Sequence, residues 1–409
     1  MRQRNKRQRP LSREEALARQ ECRRRQMEKE EESRELARRG PIDLPFCLLV
    51  LLLTAVGLVM LLSASFPSAY YETEDNNATL YFKKQGLFAV MGVAAMFFIS
   101  KINYQWFRKL AKPMMALSVI LLFLVAIPGI GILRNNARRW LGIPGTAFQF
   151  QPSEIAKMAV VLYFSNTISK KKDKMRSTRY GVLPYLCILA VLTVLMMLEP
   201  HLSGTVLIWS AGAALMLVGG ISWGWVALAV GGAGGLAALM FTGVISYGQS
   251  RIAMWQDPFI DARGKGYQLA QSLISIGSGG LLGVGLGKSR QKFLYLPEEH
   301  NDFIFAIICE ELGLIGATVI MLLFAALVLR GYWIALHARD RFGSLLVVGV
   351  TTLIGMQVFL NIGVVTGLLP TTGISLPFFS YGGTALLIQL AEMGIVLSVS
   401  RQMKPTKAG

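Results

Sequence analysis

Ten apolar runs, at about 45–62, 85–100, 113–129, 153–168, 181–198, 204–220, 223–243, 303–329, 344–366 and 383–399, constrain this chain more than any other feature. About 20 apolar residues in a helix cross the ~30 Å hydrocarbon core of a bilayer, where every backbone N–H and C=O needs an internal partner. Composition agrees. Only 16% of the 409 residues are charged and 53% are hydrophobic, with mean hydropathy +0.47, whereas soluble domains carry about 25% charged residues. The expectation is an all-α integral membrane protein with ten transmembrane helices over 43–401, between a charged tail (1–42) and a short one (402–409).

The formal charge of +18 does not point to nucleic acid, because the bases lie in the N-terminal tail and in short loops between apolar runs. That is the distribution of cytoplasmic loops under the positive-inside rule. Residues 1–40 hold fourteen Lys or Arg and eight Glu, and Ser12 with Glu15 forms a capping-box pattern. This tail reads as a solvated segment that fixes orientation, or as one that binds a partner or anionic lipid. With the N-terminus inside, alternate loops gather Lys101, Arg108, Lys109 and Lys112, then Lys170 to Arg179, then Arg330, Arg339 and Arg341. Both termini are therefore expected in the cytoplasm. The forty-residue charged lead argues against a cleaved signal peptide, and Cys22, Cys47, Cys187 and Cys309 lack the spacing of a disulfide framework or zinc site.

Two loops assigned to the outside break the charge rule. One carries Arg134, Arg138 and Arg139 in NNARRWLGIPG and leads into FQPSEIAK. Arg side chains snorkel to headgroups, but their forks also bind phosphate bidentately, and three Arg without an acid suit a diphosphate. The other, a large extracytoplasmic loop between helices 7 and 8 (246–302), contains an apolar stretch Leu269–Ile276, a glycine series Gly277–Gly287, then Lys288, Arg290 and Lys292. Loops of this length are usually functional. This one ends in LPEEHNDFIFA (296–306), where Asp302 is the last charge before an apolar run. Asp302 has two readings, as a helix cap or as a proton acceptor whose pKa desolvation raises into a useful range. Glu298, Glu299 and His300 fit a wet loop, a base cluster or an oxygen-ligand cation site.

Other motifs are weighed the same way. GVGLGKS (283–289) falls short of a phosphate-binding P-loop because Leu282 stands where glycine is needed, and no nucleotide is expected; its glycines still leave room for an anion-binding nest of amides. Glu154 and Lys157, three apart, share a helix face and fit an ion pair turned to the bundle interior. LEPHLSG (198–204) and LLPTTGISLPFFSYGGT (368–384) interrupt apolar runs. Broken backbone at membrane depth is tolerated when buried in protein or lining a cavity; for the second break, a bend at the interfacial aromatic belt is the plainer reading.

Taken together, NNARRWL (135–141), FQPSEIAK (150–157), EPHLSGT (199–205), KGYQLAQSLISIGSGGLLGVGLGKSRQKFLYLPEEHNDFIFAIICEELG (265–313) and PTTGISLPFFSYGGTALL (370–387) resemble the SEDS family (FtsW, RodA, SpoVE), in family order across nearly the whole membrane region. EPHLSGT and the charged tail resemble its division and sporulation branch more than its elongation branch. Glu299 and Asn301 stand where the family motif commonly has Ala and Thr, His201 where many members have Asp, and Thr384 where many have Ser. The resemblance implies a ten-helix fold in the bacterial cell membrane and a peptidoglycan glycosyltransferase that polymerises lipid II. The transfer would be inverting and would release undecaprenyl diphosphate outside. It puts the catalytic acid on Asp302 and substrate-binding roles on Arg138, Arg139, Glu154, Lys157, Lys288, Arg290, Lys292, His300 and Ser380. It also implies a divalent cation (Mg2+ or Mn2+) as helper, and as partners the nascent glycan strand, a class B penicillin-binding protein, other divisome or sporulation proteins and membrane lipids. A lipid II flippase and a non-catalytic scaffold for the transpeptidase are the alternatives.

Overall fold

The structure, a computed structural model, describes residues 40–73, 75–134, 137–142, 149–228, 231–232 and 249–403. The readings of the tail before residue 40, its capping box and Cys22 included, lie outside these residues. The helices are α1 (Leu44–Glu72), α2 (Leu80–Ser100), α3 (Phe107–Ala126), α4 (Pro152–Lys171), α5 (Leu183–Leu198), α6 (Leu202–Val218), α7 (Gln249–Gln256), α8 (Tyr267–Gly279), α9 (Ile304–Leu336), α10 (Arg341–Val365) and α11 (Gly383–Ser400). Each predicted run except the seventh coincides with a long helix. The seventh is helical over 223–228 and at 231–232, and its remainder lies outside the described residues. Among the described residues, seven helical segments are long and apolar enough to cross a membrane, and α6 is apolar but shorter.

Aspartates cap two of the long helices, α1 and α10. Asp43 caps α1 by accepting the Phe46 amide at 3.0 Å, and the same carboxylate takes a two-pronged contact from Arg330 of α9 at 3.0 and 2.7 Å. Asp340 caps α10 through the Gly343 amide at 3.1 Å and pairs with Arg108 at 2.7 Å. The helix of α1 runs ten residues past its apolar run. Ser63 and Ser68 in that extension reach buried carboxylates of other elements: Ser63 donates to Glu311 at 2.7 Å, and Ser68 donates to Glu299.

α4 and α10 are buried along most of their length, and α9, α11 and α6 pack around them. Small residues bring α2 and α11 together, as in other membrane bundles. A Cβ on Gly92 would stand 2.5 Å from Leu390, and one on Gly394 would stand 2.7 Å from the Met96 carbonyl. Three short strands, β1 (Ile132–Arg134), β2 (Ala137–Gly142) and β3 (Gln149–Phe150), form an antiparallel sheet between α3 and α4. The runs of helical period do not reveal this sheet.

α9 breaks at Gly313, whose φ of 66° is outside helical geometry. The glycine-rich loop after α8 fills the break. Val284 and Gly285 amides donate to the Glu310 and Glu311 carbonyls at 2.9 and 3.0 Å, while Leu314 and Ile315 amides donate to Gly280 and Leu281 at 2.9 and 3.2 Å. Irregular backbone inside a membrane protein survives when its polar groups are paired in this way. Leu269–Ile276 lies within α8, which packs along α9, with Ser275 donating to the Ala306 carbonyl at 3.0 Å.

Candidate active site

One cavity of about 600 Å³ gathers the interrupted stretches of the sequence. Arg139 enters from β2, Glu154 and Lys157 from the first turns of α4, and His201 from the break between α5 and α6. Glu298, Asn301 and Asp302 come from the loop before α9, Lys84 and Phe88 from α2, and Gly373, Ile374 and Ser375 from the break between α10 and α11. These elements converge because each carries polar or broken backbone that the apolar helix faces would exclude.

Asp302 stands in this cavity with its carboxylate in no hydrogen bond or ion pair among the described residues. α9 starts at Ile304 with Phe303 at its cap and no side chain capping it, so the helix-cap reading is set aside. Burial, and then the charge of Glu298, push the carboxyl up to about 6, against smaller opposing pulls from Arg139 and His300. A carboxylate tuned to that range is poised to take a proton near neutral pH. Gly373 leaves it room, since a Cβ there would stand 3.1 Å from Oδ2.

The cations divide by placement. Lys157 pairs with Glu154 at 2.8 Å, as the shared helix face predicts. Arg139 is braced at the α5–α6 break, where its Nε donates to the Glu199 carbonyl at 3.3 Å and its guanidinium also meets the Pro200 carbonyl. Glu199 itself is fully buried with neither carboxyl oxygen hydrogen-bonded among the described residues. Burial raises it to about 8, with Arg139 pulling the other way. His201, also in the wall, contacts Gln151 at 3.1 Å, and burial and then the charges of Arg139 and Lys157 hold it down at about 3. Lys84 was not legible as a site residue from its position in the sequence; it is exposed and lines the same wall.

Other expected residues lie elsewhere. Arg138 faces Leu133 across the β1–β2 pairing and is not in the cavity lining. Lys288 and Arg290 are exposed on the glycine-rich loop, outside the lining. Lys292 is buried in an ion pair with Glu311 at 2.9 Å and also donates to Ser63 at 3.1 Å. The anion-nest reading of the glycine series meets a physical obstacle: amides 283, 284, 285, 288, 289 and 290 already donate within the protein, several of them to Glu310 and Glu311. His300 is buried and stacks on Tyr81, ring centroids 4.7 Å apart, beside Glu299 at 3.4 Å. This is a packed site rather than a wet loop. Ser380 accepts the Leu376 amide at 2.7 Å and donates to the Asn301 carbonyl at 2.6 Å. Phe378 and Phe379 are fully buried against Phe324 of α9, which replaces the aromatic-belt reading of that break. As for the divalent cation, no three His, Cys, Asp or Glu side chains come together among the described residues, so no step below is routed through one.

Residues 44–405 match the cell cycle protein family of FtsW, RodA and SpoVE. The chain belongs to this family. It is 44% identical over 360 residues to stage V sporulation protein E of Bacillus subtilis, covering 88% of this chain and 97% of that one. It is 42% identical to a probable peptidoglycan glycosyltransferase FtsW of Geobacter metallireducens, covering 89% and 96%. Among solved structures, a chain of a peptidoglycan synthase complex that coordinates polymerization and crosslinking superposes with TM-score 0.72 at 26% identity, covering 88% of this chain and 98% of that one. Rod shape determining protein RodA of Thermus thermophilus gives TM-score 0.65 at 26% identity, covering 89% and 98%. The all-α multi-pass fold expected from the apolar runs is thus that of the FtsW/RodA/SpoVE family.

Proposed function

We infer that the cavity is the active site of a peptidoglycan glycosyltransferase of septal or sporulation cell-wall synthesis, and that Asp302 is its base. The observation that carries this is the unpartnered Asp302 carboxylate, raised to about 6 and facing a cavity walled by Lys84, Arg139 and Lys157. Similarity to the SpoVE and FtsW relatives supports the reaction class.

In the proposed transfer, Asp302 accepts the proton of the acceptor sugar's 4-hydroxyl as that oxygen attacks the anomeric carbon of a lipid II donor. The bond from that carbon to the diphosphate breaks with inversion, and undecaprenyl diphosphate leaves. Negative charge grows on the diphosphate, so preorganised cations in a partly desolvated wall stabilise the transition state. Arg139 is braced on the Glu199 and Pro200 carbonyls; Lys157 is balanced by Glu154. The cavity faces the outside of the cell membrane in this reading, supported by the Lys and Arg gathered in the alternate loops. The likeness to a chain from a synthase complex supports a transpeptidase partner, a class B penicillin-binding protein.

Polymerisation of purified lipid II in detergent, with that partner present, tests the assignment. Wild type yields glycan and Asp302→Ala yields none. Glycan from both would remove Asp302 from the chemistry, and glycan from neither alongside lipid II movement across liposomes would favour the flippase.

A further inference from the structure

Three consecutive backbone carbonyls around the base are each held by a separate donor. The His300 carbonyl accepts the Tyr381 amide at 2.9 Å, the Asn301 carbonyl accepts the Ser380 hydroxyl at 2.6 Å, and the Asp302 carbonyl accepts the Asn361 amide nitrogen Nδ2 at 2.8 Å. The donors are themselves fixed. Asn361, buried on α10, also donates to the Ile374 carbonyl at 2.6 Å, and Ser380 accepts the Leu376 amide. Gln85 of α2 closes the turn beyond, donating to the Ser380 carbonyl and accepting the Gly382 amide, each at 3.1 Å.

We propose that Asn361 and Ser380 are positioning residues that clamp the backbone of the base-bearing loop, so that Asp302 meets the acceptor hydroxyl from a fixed place. The Asp302 carboxylate has no hydrogen bond or ion pair to hold it among the described residues, so its position rests chiefly on its main chain. A loose backbone would let the carboxylate drift, and a displacement of about 1 Å costs on the order of 100-fold in rate. The Ser380 hydroxyl spends its one proton and one of its two lone pairs inside the protein, which favours a holding role over the substrate contact that the family resemblance implies for this residue. Asn361, like Gln357 one turn earlier, interrupts a largely apolar run, and a polar side chain there is expensive unless partnered; its partners are the two loops that meet at the cavity.

The inference rests on Asp302 being the base, and its test separates the two. In the polymerisation assay with the partner present, kcat, KM for lipid II and the acid limb of the pH–rate profile are measured for wild type, Asn361→Leu, Ser380→Ala and Asp302→Asn. Detergent melting confirms that each variant is folded. The clamp predicts that Asn361→Leu lowers kcat about 10- to 100-fold and Ser380→Ala less, both with KM within about 2-fold of wild type. It also predicts that the acid limb falls in both, because a loosened carboxylate is better hydrated. The charged groups that face Asp302, namely Glu298 and His300 on its loop and Arg139 on β2, are unchanged in both variants. If Asn361→Leu does not fold, Ser380→Ala alone carries the test. An unchanged kcat, a rise in KM that accounts for the loss, or an unmoved limb would overturn the clamp while Asp302→Asn stays inactive. An active Asp302→Asn would instead overturn the assignment of the base.

Discussion

Replacing Asp302 with Asn should make the folded protein more stable while removing its activity. The carboxyl is lifted from its ordinary value of 3.8 to about 6, chiefly by burial. At ~1.4 kcal/mol per pH unit, the folded state disfavours the ionised form by about 3 kcal/mol. The sign follows from linkage. A group whose folded pKa lies above its unfolded pKa adds stability that is fully present below the unfolded value and is lost as pH rises through the folded one. At pH 7.5 the wild type therefore carries the whole penalty and Asp302→Asn does not; at about pH 3, below both pKa values, the carboxyl is neutral folded and unfolded and the difference closes. Thermal melting of both proteins in detergent at the two pH values reads this directly. Asp302→Asn should melt a few degrees higher at pH 7.5, since about 1 kcal/mol moves the midpoint of a mid-sized chain by a few degrees, and should melt level with wild type at about pH 3. An equal gain at both values would mean that packing, not ionisation, separates the proteins. No gain at pH 7.5 would refute the buried, disfavoured carboxylate.

Lys292→Met should lower stability by about 3–5 kcal/mol, because it leaves Glu311 buried without its partner; a normal melting curve with a raised KM for lipid II would return Lys292 to substrate binding. Gly373→Ala should move the acid limb of the pH–rate profile upward, since a methyl 3.1 Å from Oδ2 displaces water from the Asp302 carboxylate, and an unmoved limb would place that carboxylate elsewhere. Arg139→Gln should lower kcat more than it raises KM, on the order of 100-fold for one lost transition-state contact; a loss confined to KM would make Arg139 a ground-state binder.

The fold is legible in the sequence because spans must be long and apolar, and the site is legible wherever polarity is costly. Glu154, Lys157, Arg139 and the PEEHNDF stretch all stand out against apolar or wrongly charged surroundings, and the first three meet Glu298, Asn301 and Asp302 of that stretch in one cavity. Lys288, Arg290 and Lys292 stand out equally, yet they go elsewhere. Closeness in sequence to Asp302 does not reveal that α9 breaks at Gly313 and draws the glycine-rich loop onto itself. Asn361 gives a weak sign as an amide within an apolar run. Its target, a carbonyl 59 residues earlier, is a tertiary relation that no periodicity encodes. Lys84 gives no sign at all, because a lysine at the start of a span is what an ordinary interface residue looks like.

The pH–rate profile of lipid II polymerisation by the wild type bears most directly on Asp302 as the base. The kcat should fall tenfold per pH unit below a limb at about 6, the value at which the buried carboxyl takes up its proton. A limb near 4, or a rate that holds level from pH 7 down to pH 4.5, would contradict it.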